Sequence, residues 1–143
     1  MRKGFTLIEM MLTLSIMVML AGISAPIYLS FQAKNDLETA NSVLISSLRR
    51  AQMLAQTMDH DMSWGVYLQE RRLTVFAGET YNTRSSVYDE DFSLAPSVSF
   101  SGLNEIVFEK LSGETNNIGE IIINSNNNET RTITINQKGR LEF

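Results

Sequence analysis

Residues Phe5 to Ile27, FTLIEMMLTLSIMVMLAGISAPI, contain one charged side chain, Glu9, in a run otherwise made of apolar, small and hydroxyl residues. Coiled as a helix at about 1.5 Å per residue, the run is about 35 Å long, enough to cross a bilayer core of roughly 30 Å. It dictates a membrane-embedded helix and leaves only the sequence after it to build a water-soluble domain. Met1, Arg2, Lys3 and Gly4 precede it, a short basic tip of the kind retained on the cytoplasmic side, so the expected orientation is N-terminus in, remainder out. A secretory signal also has a basic tip and an apolar core, and Ser24-Ala25-Pro26 reads superficially as its cleavage site. Such a core, however, spans only about 7–15 residues. It also has no use for an acid whose insertion costs on the order of 2.5–3.5 kcal/mol. Glu9 needs a partner.

The segment Gly4-Phe5-Thr6-Leu7-Ile8-Glu9 resembles the processing motif of type IV prepilins, and Pro26 falls where many pilins carry a helix-loosening proline. The resemblance covers the basic tip and the apolar run. It implies that a prepilin peptidase and methyltransferase cuts between Gly4 and Phe5 and N-methylates Phe5, leaving residues 1–4 as a leader. It further implies other pilin or pseudopilin subunits, an inner-membrane assembly platform and membrane lipid as partners. The bacterial cytoplasmic (inner) membrane is then the store from which an extracellular or periplasmic filament is drawn.

The residues fit that implication on their own chemistry. Once Gly4 is gone, Phe5 offers a free amine four residues before Glu9, at a helix N-terminus where negative charge is favoured. Between chains, the amine of an added subunit meets Glu9 of one already assembled, in a low-dielectric bundle where an unpaired charge is expensive. Glu9 then sets register. The bland alternative is an acid that snorkels to the headgroups. Gly22 weakens helix entropically and Pro26 lacks the N–H that would bond to the preceding turn, so Gly22–Pro26 is a candidate loosened turn.

From Tyr28 the pattern turns amphipathic, with Ala33, Leu37, Ala40, Leu44, Leu48, Ala51, Ala55 and Met58 recurring every three or four residues. One helix is expected over 5–58, membrane-spanning over 5–27, with a β-sheet globular domain over 59–143. Trp64–Gln69 and Leu73–Ala77 alternate across a polar turn and read as a hairpin. GETYNTRSSVYDED, Gly78–Asp91, reads as an exposed, mobile loop. Strands are expected around Ser97–Phe100, Asn104–Phe108, Glu120–Asn124, Arg131–Asn136 and Arg140–Phe143. The expected class is α+β: a long helix packed on a small antiparallel sheet. This second half is similar, through short patterns such as Asn41–Gln52, to the GspH/FimT-type branch, which includes minor pseudopilins and minor pilins, some implicated in DNA uptake.

The formal charge is −4 and cysteine is absent, which implies no strong non-specific nucleic-acid binding and excludes disulfides, thiol catalysis and Cys-ligated metals. The single histidine, His60, sits between Asp59 and Asp61, but adjacent helical residues do not face one point, so a solvated helix end is the better reading than a metal site. Asp89-Glu90-Asp91 lacks a calcium-loop pattern and reads as a solvated loop. One histidine and no GxSxG leave nothing for a Ser-His-Asp enzyme, so no catalytic residue, metal or cofactor is expected. Asn128-Glu129-Thr130 matches a glycosylation sequon, a weak signal. Arg131, Lys138 and Arg140 are a candidate DNA contact, opposed by the acidic total. The expected function is a non-enzymatic structural subunit, minor rather than major, of a type IV pilus, type II secretion pseudopilus or competence filament. The alternatives are a minor tip subunit that binds DNA or a secreted substrate, and a single-pass membrane protein unrelated to filaments.

Overall fold

The computed structural model describes residues 4–142, the side chains of 24–26 excepted. The basic tip Met1–Lys3 of the expected leader, and Phe143 at the end of the last expected strand, lie outside the described residues. A single helix, α1, runs over Leu7–Gln56. Contacts nonetheless divide the chain into two units, Met1–Gln32 and Ala33–Phe143.

In the first unit, residues 4–23 are exposed throughout, including every large apolar side chain from Phe5 to Ile23. The hydroxyls here are satisfied within the helix: Thr13 Oγ1 donates to the Met10 carbonyl at 2.9 Å and Ser15 Oγ to the Met11 carbonyl at 2.7 Å. Such back-bonding lets polar residues sit on a surface that water need not reach. The backbone remains helical through Gly22–Pro26.

In the second unit, Leu37, Ala40, Leu44, Leu48, Ala51 and Ala55 are fully buried, forming the stripe that the period of three and four residues predicts. Ala33 is only partly buried and Met58 is exposed, so neither belongs to it. Met58 takes a left-handed φ of 55°, and a 3₁₀ turn follows at Asp59–Asp61. The Ala55 carbonyl, in the last turn, accepts from the Met58 N–H at 3.2 Å and also from the Leu111 N–H at 3.0 Å.

Eight strands follow: β1 Trp64–Gln69, β2 Arg72–Ala77, β3 Ser85–Ser93, β4 Val98–Gly102, β5 Glu105–Phe108, β6 Gly119–Ser125, β7 Thr130–Ile135 and β8 Leu141–Glu142. They form two four-stranded antiparallel sheets rather than the one expected, ordered β3-β2-β1-β5 and β4-β6-β7-β8. Helix and sheets together make the chain α+β. Gly102 marks the corner where the chain leaves one sheet for the other. Its φ is +90°, and a Cβ there would lie 2.2 Å from the Glu120 carbonyl oxygen, so only glycine fits. The core joins the helix stripe to Trp64, Val66, Leu68, Leu73, Val75, Ile106 and Phe108 of the first sheet and Ile121, Ile123, Ile133 and Ile135 of the second.

The expected loop Gly78–Asp91 is corrected. Only Gly78–Arg84 is loop, with a 3₁₀ turn at Tyr81–Thr83, and the rest is β3, paired to β2 from Arg72↔Ser93 to Ala77↔Ser85. The loop is also fixed in place. Tyr81 stacks on Tyr67 at 4.0 Å and meets Phe76 edge-on, while the Arg84 guanidinium lies 3.7 Å from the Tyr81 ring centroid. Covered in this way, the outward-facing Phe76 of β2 is as buried as the core side chains, as is Thr74, opposite Tyr67 and hydrogen-bonded to Asp91.

Candidate functional site

The N-terminal site is built by the start of α1. Thr6 precedes the helix, its hydroxyl accepting from the Glu9 N–H at 3.4 Å and its carbonyl from the Met10 N–H at 3.2 Å. Thr6-Leu7-Ile8-Glu9 thus has the order of a capping box, a threonine followed three residues later by glutamate, with the Thr6 side chain in the capping role. Reading Glu9 as a charge alone missed that role for Thr6, although the spacing was there to find. Glu9 lies in the first turn, where the helix dipole favours its charge, and both Glu9 and Phe5 are exposed. Gly4 has open space around it, with nothing within 4 Å of an added Cβ. The junction between Gly4 and Phe5 is therefore accessible, and Glu9 projects from a surface of apolar side chains. Gly22 is likewise open, so no packing requirement explains a glycine there.

The three expected DNA-contact cations are not brought together. Arg131, near the start of β7, donates through Nη2 to Glu38 of the helix. Lys138 and Arg140 lie beyond the other end of β7, which is about 13 Å along the strand from Arg131 at roughly 3.3 Å per residue. Their neighbour is Arg49, which lines a recess with Gln52, Gly139 and Arg140. Gln52 Nε2 donates to the Lys138 carbonyl at 3.2 Å and to the Gly113 carbonyl at 3.0 Å, holding that turn to the helix.

His60 adopts a left-handed φ of 54°, with Nδ1 3.0 Å from Asp59 Oδ2 and its ring 4.2 Å from that of Tyr88. Asp61 pairs instead with Lys110 Nζ at 2.9 Å. Asp59 and His60 thus meet each other while Asp61 turns to a different partner, so the three do not converge on one point. Asp89, Glu90 and Asp91 lie in β3 rather than in a solvated loop, and each has its own partner. Asp89 binds Arg84 Nε at 2.8 Å, Glu90 takes two bonds from Arg50 at 2.6 and 2.7 Å, and Asp91 accepts from Thr74 Oγ1 at 2.6 Å. Hydrogen bonding to Glu90 raises the Arg50 pKa, and hydrogen bonding to Asp89 does the same for Arg84. Among the described residues no group of three or more His, Asp or Glu side chains is arranged to hold a metal ion.

Residues 1–25 match the family model described as the prokaryotic N-terminal methylation motif. No curated protein matches the sequence. Among solved structures, the chain is similar to the minor pseudopilin EpsH from the type 2 secretion system of Vibrio cholerae. The identity is 16% and the TM-score 0.54, over 75% of this chain and 94% of that one. At that identity the likeness is one of fold.

Proposed function

We propose that this chain, type IV pilin-like in its N-terminal motif and in its fold, is a non-enzymatic structural subunit of a filament assembled from the membrane. One observation carries the reading: from Leu7 to Ile23 α1 exposes apolar side chains all around, and in that stretch its one acid is Glu9, in the first turn. Such a surface is stable in lipid or against helices of its own kind, and moving from one to the other keeps it out of water throughout. Cleavage between Gly4 and Phe5, with N-methylation of Phe5, leaves an ammonium that pairs with Glu9 of a neighbouring subunit. Arg2 and Lys3 hold the N-terminus on the cytoplasmic side before the cut, with the sheet domain outside. Gly22–Pro26, helical in the single chain, is the turn that loosens when helices pack in the fibre. Assembly is driven by a separate ATPase acting through an inner-membrane platform.

EpsH belongs to a type 2 secretion system and is a minor pseudopilin, which favours a secretion pseudopilus over a pilus or competence filament and a minor role over a major one. A tip subunit that grips DNA has less support, since Arg131 is committed to Glu38.

Mass spectrometry of the mature chain tests the proposal. A methylated Phe5 at the N-terminus is expected. An N-terminus at Met1, or one created by cutting after Ala25, would overturn it.

A further inference from the structure

The second unit carries two surfaces of opposite charge that share no lining residue. One is the recess edged by Arg49 of α1 and Arg140 of the turn before β8, with Glu142 of β8 also in its lining and Lys138 on the same turn, so that cations outnumber the single carboxylate. All three cations are exposed, and among the described residues none pairs with a carboxylate, in contrast to Arg50, Arg72, Arg84, Lys110 and Arg131. The other is a recess of about 740 Å³ beside β5, whose lining includes Glu79, Glu105 and Glu109. Lys110 also lines it but is taken by Asp61. Glu105 spends one oxygen on the Tyr81 N–H and Glu109 one on Asn116, while Glu79 makes no hydrogen bond or ion pair to any described residue.

A helical fibre is built by heterologous contacts, in which two different faces of one chain meet in successive copies. Here those two faces are complementary in charge, on a chain whose net charge of −4 otherwise makes copies repel. We infer that a second copy of this chain docks head to tail on the first, Arg49 and Arg140 of one entering the carboxylate-lined recess of the next. The inference rests on the filament-subunit reading and adds the domain surface through which copies follow one another, if only in short runs. Exposed ion pairs are individually weak, so the contact sets register between copies already concentrated by their apolar helices rather than recruiting them from solution.

The absence of native cysteine makes the test clean. Full-length chains carrying Lys138→Cys and Glu79→Cys are co-expressed with the processing and assembly machinery, and disulfide cross-linking between them is measured in membranes and sheared filaments. Leu12→Cys in the apolar helix serves as the control for assembly. The expected result is a Lys138–Glu79 cross-link whose yield falls about fivefold or more on adding Arg49→Glu and Arg140→Glu, and is retained with Arg49→Lys and Arg140→Lys, as a charge contact requires. Helix cross-links without the domain cross-link, or a domain cross-link indifferent to charge reversal, would overturn the inference and leave the filament reading standing. Absence of both cross-links would overturn the two together.

Discussion

At the scale of single residues, Glu9 is an acid that is costly in lipid, and the proposed function assigns it a neighbouring subunit's ammonium as partner. Replacing it by glutamine keeps its size and removes its charge, so Glu9→Gln is expected to leave the membrane level of the chain unchanged while incorporation into fibres drops by at least about tenfold, the equivalent of roughly 1.4 kcal/mol. Immunoblots of sheared filaments against membranes measure the split. Gly65 is a different kind of constraint: a Cβ there would lie 2.6 Å from Phe76 Cζ and 2.7 Å from the Ile106 carbonyl oxygen. Gly65→Ala is therefore expected to destabilise the domain by about 1–3 kcal/mol in denaturant titration, an overpacking cost. The place of Glu9 in the first turn of the helix was legible from one charge in an apolar run. The role of Gly65 was not, because it depends on Phe76 being turned outward and then covered by the Tyr81 loop.

Elements show where local pattern suffices. The stripe from Leu37 to Ala55 repeats with the helical period, and its burial follows the repeat. Leu48→Ala is expected to cost about 2–5 kcal/mol, against at most about 1 kcal/mol for Arg50→Ala, whose bond to Glu90 is half exposed. Equal losses in urea titration would contradict that ordering. Strand β3 escaped the reading because its charges look like those of a loop. Asp89, Glu90 and Asp91 are tolerated in a strand because Arg84, Arg50 and Thr74, two of them distant in sequence, supply their partners. No local window contains that information. Since both arginine pKa values are raised, the stability these pairs contribute is present below the unfolded-state pKa and lost only as pH rises through the folded one. The strand is expected to stay protected from amide exchange across the neutral and mildly alkaline range.

The whole molecule is organised around a core drawn entirely from residues after Gln32. A chain beginning at Gln32 is therefore expected to stay folded without detergent, with helical and strand signals in far-ultraviolet circular dichroism; a random-coil spectrum would show that the apolar segment is needed for folding. The division of the strands between two sheets was not visible in the sequence. β4 and β5 are separated only by Leu103 and Asn104, yet one pairs with β6 and the other with β1. The choice is made at Gly102 by a close approach to Glu120, a contact made only once the fold has formed.

The chain's one tryptophan, Trp64, is almost fully enclosed, its indole N–H donating to the Asp59 carbonyl at 3.1 Å and its ring 6.4 Å from that of Tyr88. It bridges the end of the helix, the first strand and the edge strand. The molecule thus carries its own optical gauge: fluorescence emission should be blue while these three stay joined, and a shift to the red would signal their parting without any label being attached.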